Sequence, residues 1–97
     1  MNACQRKIII NETRVCDGIT YKYSLIESTN LQISCYKIPL YSVRIEMLIH
    51  ENESFSENES VALFSDLNKA TDFYYKLVSN LATPMNLPYI IEDELSV

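Results

Sequence analysis

The chain has 97 residues, 47% hydrophobic and 22% charged, which is enough for one folded domain over residues 1–97 and too little for two cores. A formal net charge of −5 argues against non-specific nucleic-acid binding, which needs clustered Lys and Arg to displace counterions, and against attraction to an anionic membrane. Seven tyrosines offer stacking faces for single-stranded RNA, but no basic groove accompanies them in the sequence.

Arg6 and Lys7 are followed by only a short apolar run, Ile8 to Ile10. A secretory signal needs roughly 7–15 apolar residues there and a membrane span about 20, so a cytoplasmic protein with no membrane partner is expected. Cys4, Cys16 and Cys35 are odd in number and contain no C-x-x-C pair, the usage of free thiols in a reducing compartment.

Residues 5–15 form a β-rich run that ends at Asp17-Gly18, and Gly18 is the only glycine. An Asp-Gly pair between two β-rich runs predicts a two-residue hairpin, because a type I′ turn needs positive φ at both central positions. That turn sets Cys16 opposite Ile19, Arg14 opposite Tyr21, Glu12 opposite Tyr23 and Ile10 opposite Leu25. Ile8, Ile10, Ile19, Tyr21, Tyr23 and Leu25 then share one face, and Asn11, Thr13, Thr20, Lys22 and Ser24 share the other.

Ser28-Thr29-Asn30 predicts a turn, followed by strand-like residues from Leu31 to Ile38. Pro39 cannot donate to a ladder and marks a break or an edge. Beyond it Tyr41, Val43, Ile45, Met47 and Ile49 alternate with Ser42, Arg44, Glu46, Leu48 and His50, the clearest period-two stretch in the chain. Residues 31–49 are read as two strands. Glu51 to Ser60 surround Phe55 with polar and acidic residues, which predicts a solvated loop. Its carboxylates lack the spaced ligands and glycine of a calcium loop.

A long helix is expected from an N-cap at Ser65 to the break at Thr83-Pro84. Leu67, Ala70, Tyr74, Leu77, Val78 and Leu81 recur at three- and four-residue steps and form its apolar stripe. A short helix follows from Asn86 or Leu87 to Leu95, with Pro88 in its first turn. Glu92-Asp93-Glu94 sits at its C-terminus, where the helix dipole disfavours negative charge, and reads as a solvated acidic end.

No motif assembles chemistry. His50 is the one histidine, and at a strand end it reads as a surface group. A cysteine-dependent enzyme would need it beside Cys16 or Cys35. Cys4, Cys16, Cys35 and His50 lack the short paired spacings of structural zinc sites, and one glycine cannot build a phosphate loop. No catalytic residue, metal or cofactor is therefore assigned. Tyr21, Tyr23, Tyr41 and Tyr74 fall on predicted core faces. Two features resist a core explanation. Tyr75 projects about 120° from the centre of the helical stripe. Ile9 and Ile26 face each other on the side of the sheet that the helix leaves open, with Leu48 beside them. Apolar residues on an uncovered face mark an interface.

Three stretches carry a resemblance: Gly18-Ile19-Thr20-Tyr21-Lys22-Tyr23, Tyr41-Ser42-Val43-Arg44-Ile45, and above all Asn80 to Leu95 with its Thr83-Pro84 break and acidic end. The chain resembles a family of small uncharacterised proteins from spore-forming anaerobic Gram-positive bacteria, described only as a domain of unknown function. It departs at Ser42, where that family tends to have glycine, and at Ala82, where a larger aliphatic residue is usual. The resemblance implies a cytoplasmic bacterial α+β protein and transfers no site.

The expected fold is α+β: an antiparallel meander of three or four strands with one long and one short C-terminal helix on one face. The expected function is a non-catalytic interaction or regulatory module with a protein partner or a homodimer, contacting through Ile9, Ile26, Leu48 and Tyr75. The alternative is a small-ligand domain with a pocket between sheet and helix lined by Tyr21, Tyr23 and Tyr74.

Overall fold

The computed structural model describes residues 4–30, 39–60 and 64–95. Four antiparallel strands form one meander sheet, β1 Cys4–Cys16, β2 Ile19–Asn30, β3 Pro39–Ile49 and β4 Ser54–Glu59, in the order β1-β2-β3-β4. Two helices follow, α1 Leu67–Ser79 and α2 Leu87–Leu95. The fold is the α+β meander with both helices on one face. The predicted strand over 31–38 lies outside the described residues.

The first hairpin forms as the lone glycine requires. Asp17 and Gly18 have φ of 52° and 75°, and the four predicted pairs from Cys16↔Ile19 to Ile10↔Leu25 are all present. Past Ile10 the register slips: Ile8, not Ile9, stands opposite Ile26. Ile9 is the extra residue of a β-bulge, and a bulge shifts the side-chain alternation by one. Ile9 therefore packs against the helix-side core, which corrects its expected place on the open face. Ile8 moves to the open face instead.

The acidic segment is a second correction. Ser54 to Glu59 is no free loop but pairs with β3, from Ile49↔Ser54 to Arg44↔Glu59. Its turn is local chemistry: Ser54 N–H donates to Asn52 Oδ1 at 3.0 Å while Glu53 takes φ 52°. An Asx turn followed by a charged edge strand suits a position where one side of the ladder faces water.

The N-cap of α1 is Asp66 rather than Ser65, its carboxylate accepting from Asn68 N–H at 2.9 Å. The helix also stops earlier than Pro84. Ala82 N–H bonds Leu77 O at 3.0 Å, Leu81 N–H bonds Val78 O at 3.2 Å, and Leu81 has φ 50°. This is a Schellman cap with leucine in the position glycine usually takes. Ala70, Phe73, Tyr74, Leu77 and Val78 are buried, whereas Leu67 is 43% exposed, so the stripe begins one turn later than its spacing predicts. α2 begins at Leu87 as expected, and Leu87, Ile90 and Ile91 seat it on the same core.

That core joins Tyr21, Tyr23 and Leu25 of β2 and Tyr41, Val43, Ile45 and Met47 of β3 to the buried faces of α1 and α2. All four tyrosines predicted as core are buried. Tyr23 Oη donates to Ala82 O at 2.9 Å, which ties the Schellman cap to the sheet, and Tyr74 Oη donates to Tyr23 O at 3.2 Å.

Candidate functional site on the open sheet face

Strand alternation sets every second side chain on the face away from the helices. The pairing places these side chains in rows. Val15, Thr20, Leu48 and Phe55 form one row, and Thr13, Lys22, Glu46 and Glu57 form the next. Asn11, Ser24, Arg44 and Glu59 follow, then Ile8, Ile26 and Ser42. The face is apolar at its Val15 and Phe55 end and charged across its middle, while at the far end only Ile8 is exposed and Ile26 and Ser42 are buried.

Three shallow grooves of about 180, 400 and 110 Å³ cross this face. The first two share Ile8 and Arg44, and the last two share Lys22 and Glu46, so they run together as one trough. Its centre is an ion-pair chain. Glu59 contacts Arg6 and also Arg44 at 3.8 Å, and Arg44 Nη2 meets Glu46 Oε1 at 3.0 Å. The Arg44 pairs are partly buried and the Arg6 pair is more exposed, and solvated pairs each contribute only about 0–1 kcal/mol. Lys22 stands across the ladder from Glu46, yet among the described residues its ammonium makes no ion pair or hydrogen bond.

The four residues expected to form a contact surface separate. Ile26 is on the open face but only 3% exposed, so it supports the trough from below. Leu48 is half-buried between Thr20 and Phe55. Ile9 lies on the core side. Tyr75 is exposed in the helical layer, edge-on to Tyr74 at 5.2 Å between centroids, on the other side of the sheet. What the sequence reading missed is more exposed: Phe55 at 59% and Val15 at 70%. Phe55 carried a signal, as a single aromatic in a run of Ser, Glu and Asn.

His50 directly follows β3, and its Nε2 is 2.7 Å from Thr20 Oγ1. The Cys16 thiol instead lies 3.7 Å from an Asp17 carboxylate oxygen, and Cys35 is outside the described residues. Among the described residues no three His, Cys, Asp or Glu side chains converge as metal ligands. Tyr21, Tyr23 and Tyr74 are packed together, with the Tyr23 and Tyr74 hydroxyls spent on backbone carbonyls. Burial pushes the Tyr23 phenol up to about 12. It raises Tyr74 as well, with the Glu12 carboxylate adding to the effect. Glu94 at the acidic end pairs with Lys76 of α1 at 3.2 Å.

Residues 6–97, which hold all of these elements except the first two residues of β1, match a family of unknown function, DUF6514. The chain belongs to that family. No curated protein and no solved structure matches it. Among its described residues, no helix of this DUF6514 chain is long and apolar enough to cross a membrane. The membership agrees with the expected domain of unknown function and carries no activity to any residue.

Proposed function

We propose that this DUF6514 chain is a non-catalytic protein-interaction module that binds through the open face of its sheet. The supporting observation is the row Val15, Thr20, Leu48 and Phe55. It sets two strongly exposed apolar side chains beside a charged trough, on the face to which neither helix is docked. An exposed apolar row beside a charged trough resembles an interface more than a solvated sheet surface, which alternates core-facing apolar with outward polar residues. We place the module in the cytoplasm of a bacterium, on its free-thiol cysteine usage and on the likeness of its 80–95 segment to proteins of spore-forming anaerobes.

Site-specific photo-crosslinking in cells tests this reading. A photoreactive residue at Phe55 or Val15 gives discrete protein adducts, and the same residue at Tyr89, 70% exposed on α2, gives none. Adducts from Tyr89 alone would move the binding surface to the helical layer and overturn the proposal.

A further inference from the structure

The rows of the open face are self-complementary, and we infer that the partner seated on this face is a second copy of the chain, related by a two-fold axis that runs along the strands between β2 and β3. The inference rests on the proposed role of the face and names its occupant. A two-fold interface must match one patch against itself. Rotation about this axis keeps each row at its level and reverses the strand order. β2 then lies over β3 of the partner and β1 over β4.

The consequences follow row by row. Lys22, which among the described residues makes no ion pair, comes to Glu46 of the other copy, and the contact occurs twice. Val15 comes to Phe55 of the other copy, so the two most exposed apolar groups of the face, on opposite edge strands in one row, cover each other. Thr20 comes to Leu48, and Thr13 to Glu57. No like charges are brought together in these three rows, since Asn11 and Ser24 meet Glu59 and Arg44.

Packed sheets cross at about −30°, so the axis is inclined to the mean strand direction by roughly half that angle. Lys22 and Glu46 flank the axis and shift little, whereas Phe55 and Val15 shift by roughly 5 Å, within reach of a phenyl side chain. The three rows that meet are roughly 20 Å wide and 20 Å long from strand spacing and rise. Two copies together cover about 800 Å², below the usual size of a stable interface, so association is weak and belongs at high micromolar concentrations.

Charge exchange tests both the occupant and the axis. In sedimentation velocity up to about 300 µM, the unmodified chain should form a dimer. Lys22→Glu sets Glu against Glu twice, and Glu46→Lys sets Lys against Lys twice, so each variant alone should weaken the dimer about tenfold or more. Mixing the two variants restores both opposite-charge contacts, and a heterodimer should form that 0.5 M salt weakens. Phe55→Ser, at an exposed position outside the charge chain, should dissociate the dimer with the circular dichroism unchanged.

A monomer at every concentration, or a mixture of the two variants that does not associate, overturns the inference. Neither result touches the Phe55 crosslinks to other proteins, so the reading of the face as a binding surface is judged separately.

Discussion

Truncating Leu77 to alanine measures how α1 is docked. The side chain is 1% exposed and sits in the core with Tyr23, Ile45 and Tyr74. Leu→Ala removes three carbon groups, a transfer loss of about 2.4 kcal/mol at roughly 0.8 kcal/mol each. The cavity left behind adds about 24 cal/mol per Å³ that the surroundings fail to fill. Tyr23 and Tyr74 are each held by a hydrogen bond to backbone and cannot slide into the space, so the total belongs at about 3–5 kcal/mol. For a domain of this size that is a drop of at least roughly 12 °C in Tm.

The assay is urea denaturation followed by far-UV circular dichroism, comparing midpoints at constant slope. Leu67→Ala is the control, because that side chain is 43% exposed at the start of the helix and should cost under about 1 kcal/mol. If Leu77→Ala costs less than about 1 kcal/mol, or no more than Leu67→Ala, α1 docks by another face and the layer assignment fails.

Gly18→Val should cost more than about 1 kcal/mol in the same assay, and for backbone reasons alone. The position has φ +75° and nothing lies within 4 Å of an added Cβ. Tyr23→Phe removes the donor to the buried Ala82 carbonyl and should cost about 1–2 kcal/mol, with faster amide exchange across residues 79–82. Alkaline pH should unfold the chain through its buried phenols. Tyr23 is raised from 10.0 to about 12 by burial, and Tyr74 is raised by burial and by Glu12. The folded chain then keeps protons that the unfolded chain releases, so this stability is fully present below pH 10 and is lost as pH rises toward 12. The expected slope in that window is about 1.4 kcal/mol per pH unit for each tyrosine, and a flat profile there would contradict the burial of both groups.

Local rules reached the parts of this fold that a single residue type determines. The only glycine, beside Asp17, set the hairpin and four cross-strand pairs, and strict alternation from Tyr41 to Ile49 set the core face of β3. Three other features depend on tertiary context. Any of three consecutive isoleucines could carry the bulge at Ile9, and only the pairing of Ile8 with Ile26 decides it. β4 has almost no apolar residues and forms because β3 offers it a ladder. Leu81 takes the left-handed cap because its side chain packs against the core, and leucine does not announce that conformation.

The candidate site suffered from the same slip. Moving one residue past the bulge exchanged Ile9 for Ile8, and treating β4 as a loop hid Phe55. The open face itself was legible, since Lys22, Ser24, Arg44 and Glu46 alternate with core residues along β2 and β3. The charge chain through Glu59 was not, because Glu59 reaches Arg6 and Arg44 only once β4 is in place.

The central claim, that the open sheet face is covered in the cell, is tested most directly by hydroxyl-radical footprinting. Side-chain oxidation of Phe55 and Tyr89 is compared between native cells and the dilute purified chain. Both aromatics are exposed in the isolated chain, at 59% and 70%, on opposite sides of the sheet. The account predicts that Phe55 is protected several-fold in cells while Tyr89 is oxidised as in dilute solution. Equal oxidation of Phe55 in the two settings, or protection of Tyr89 alone, would contradict it.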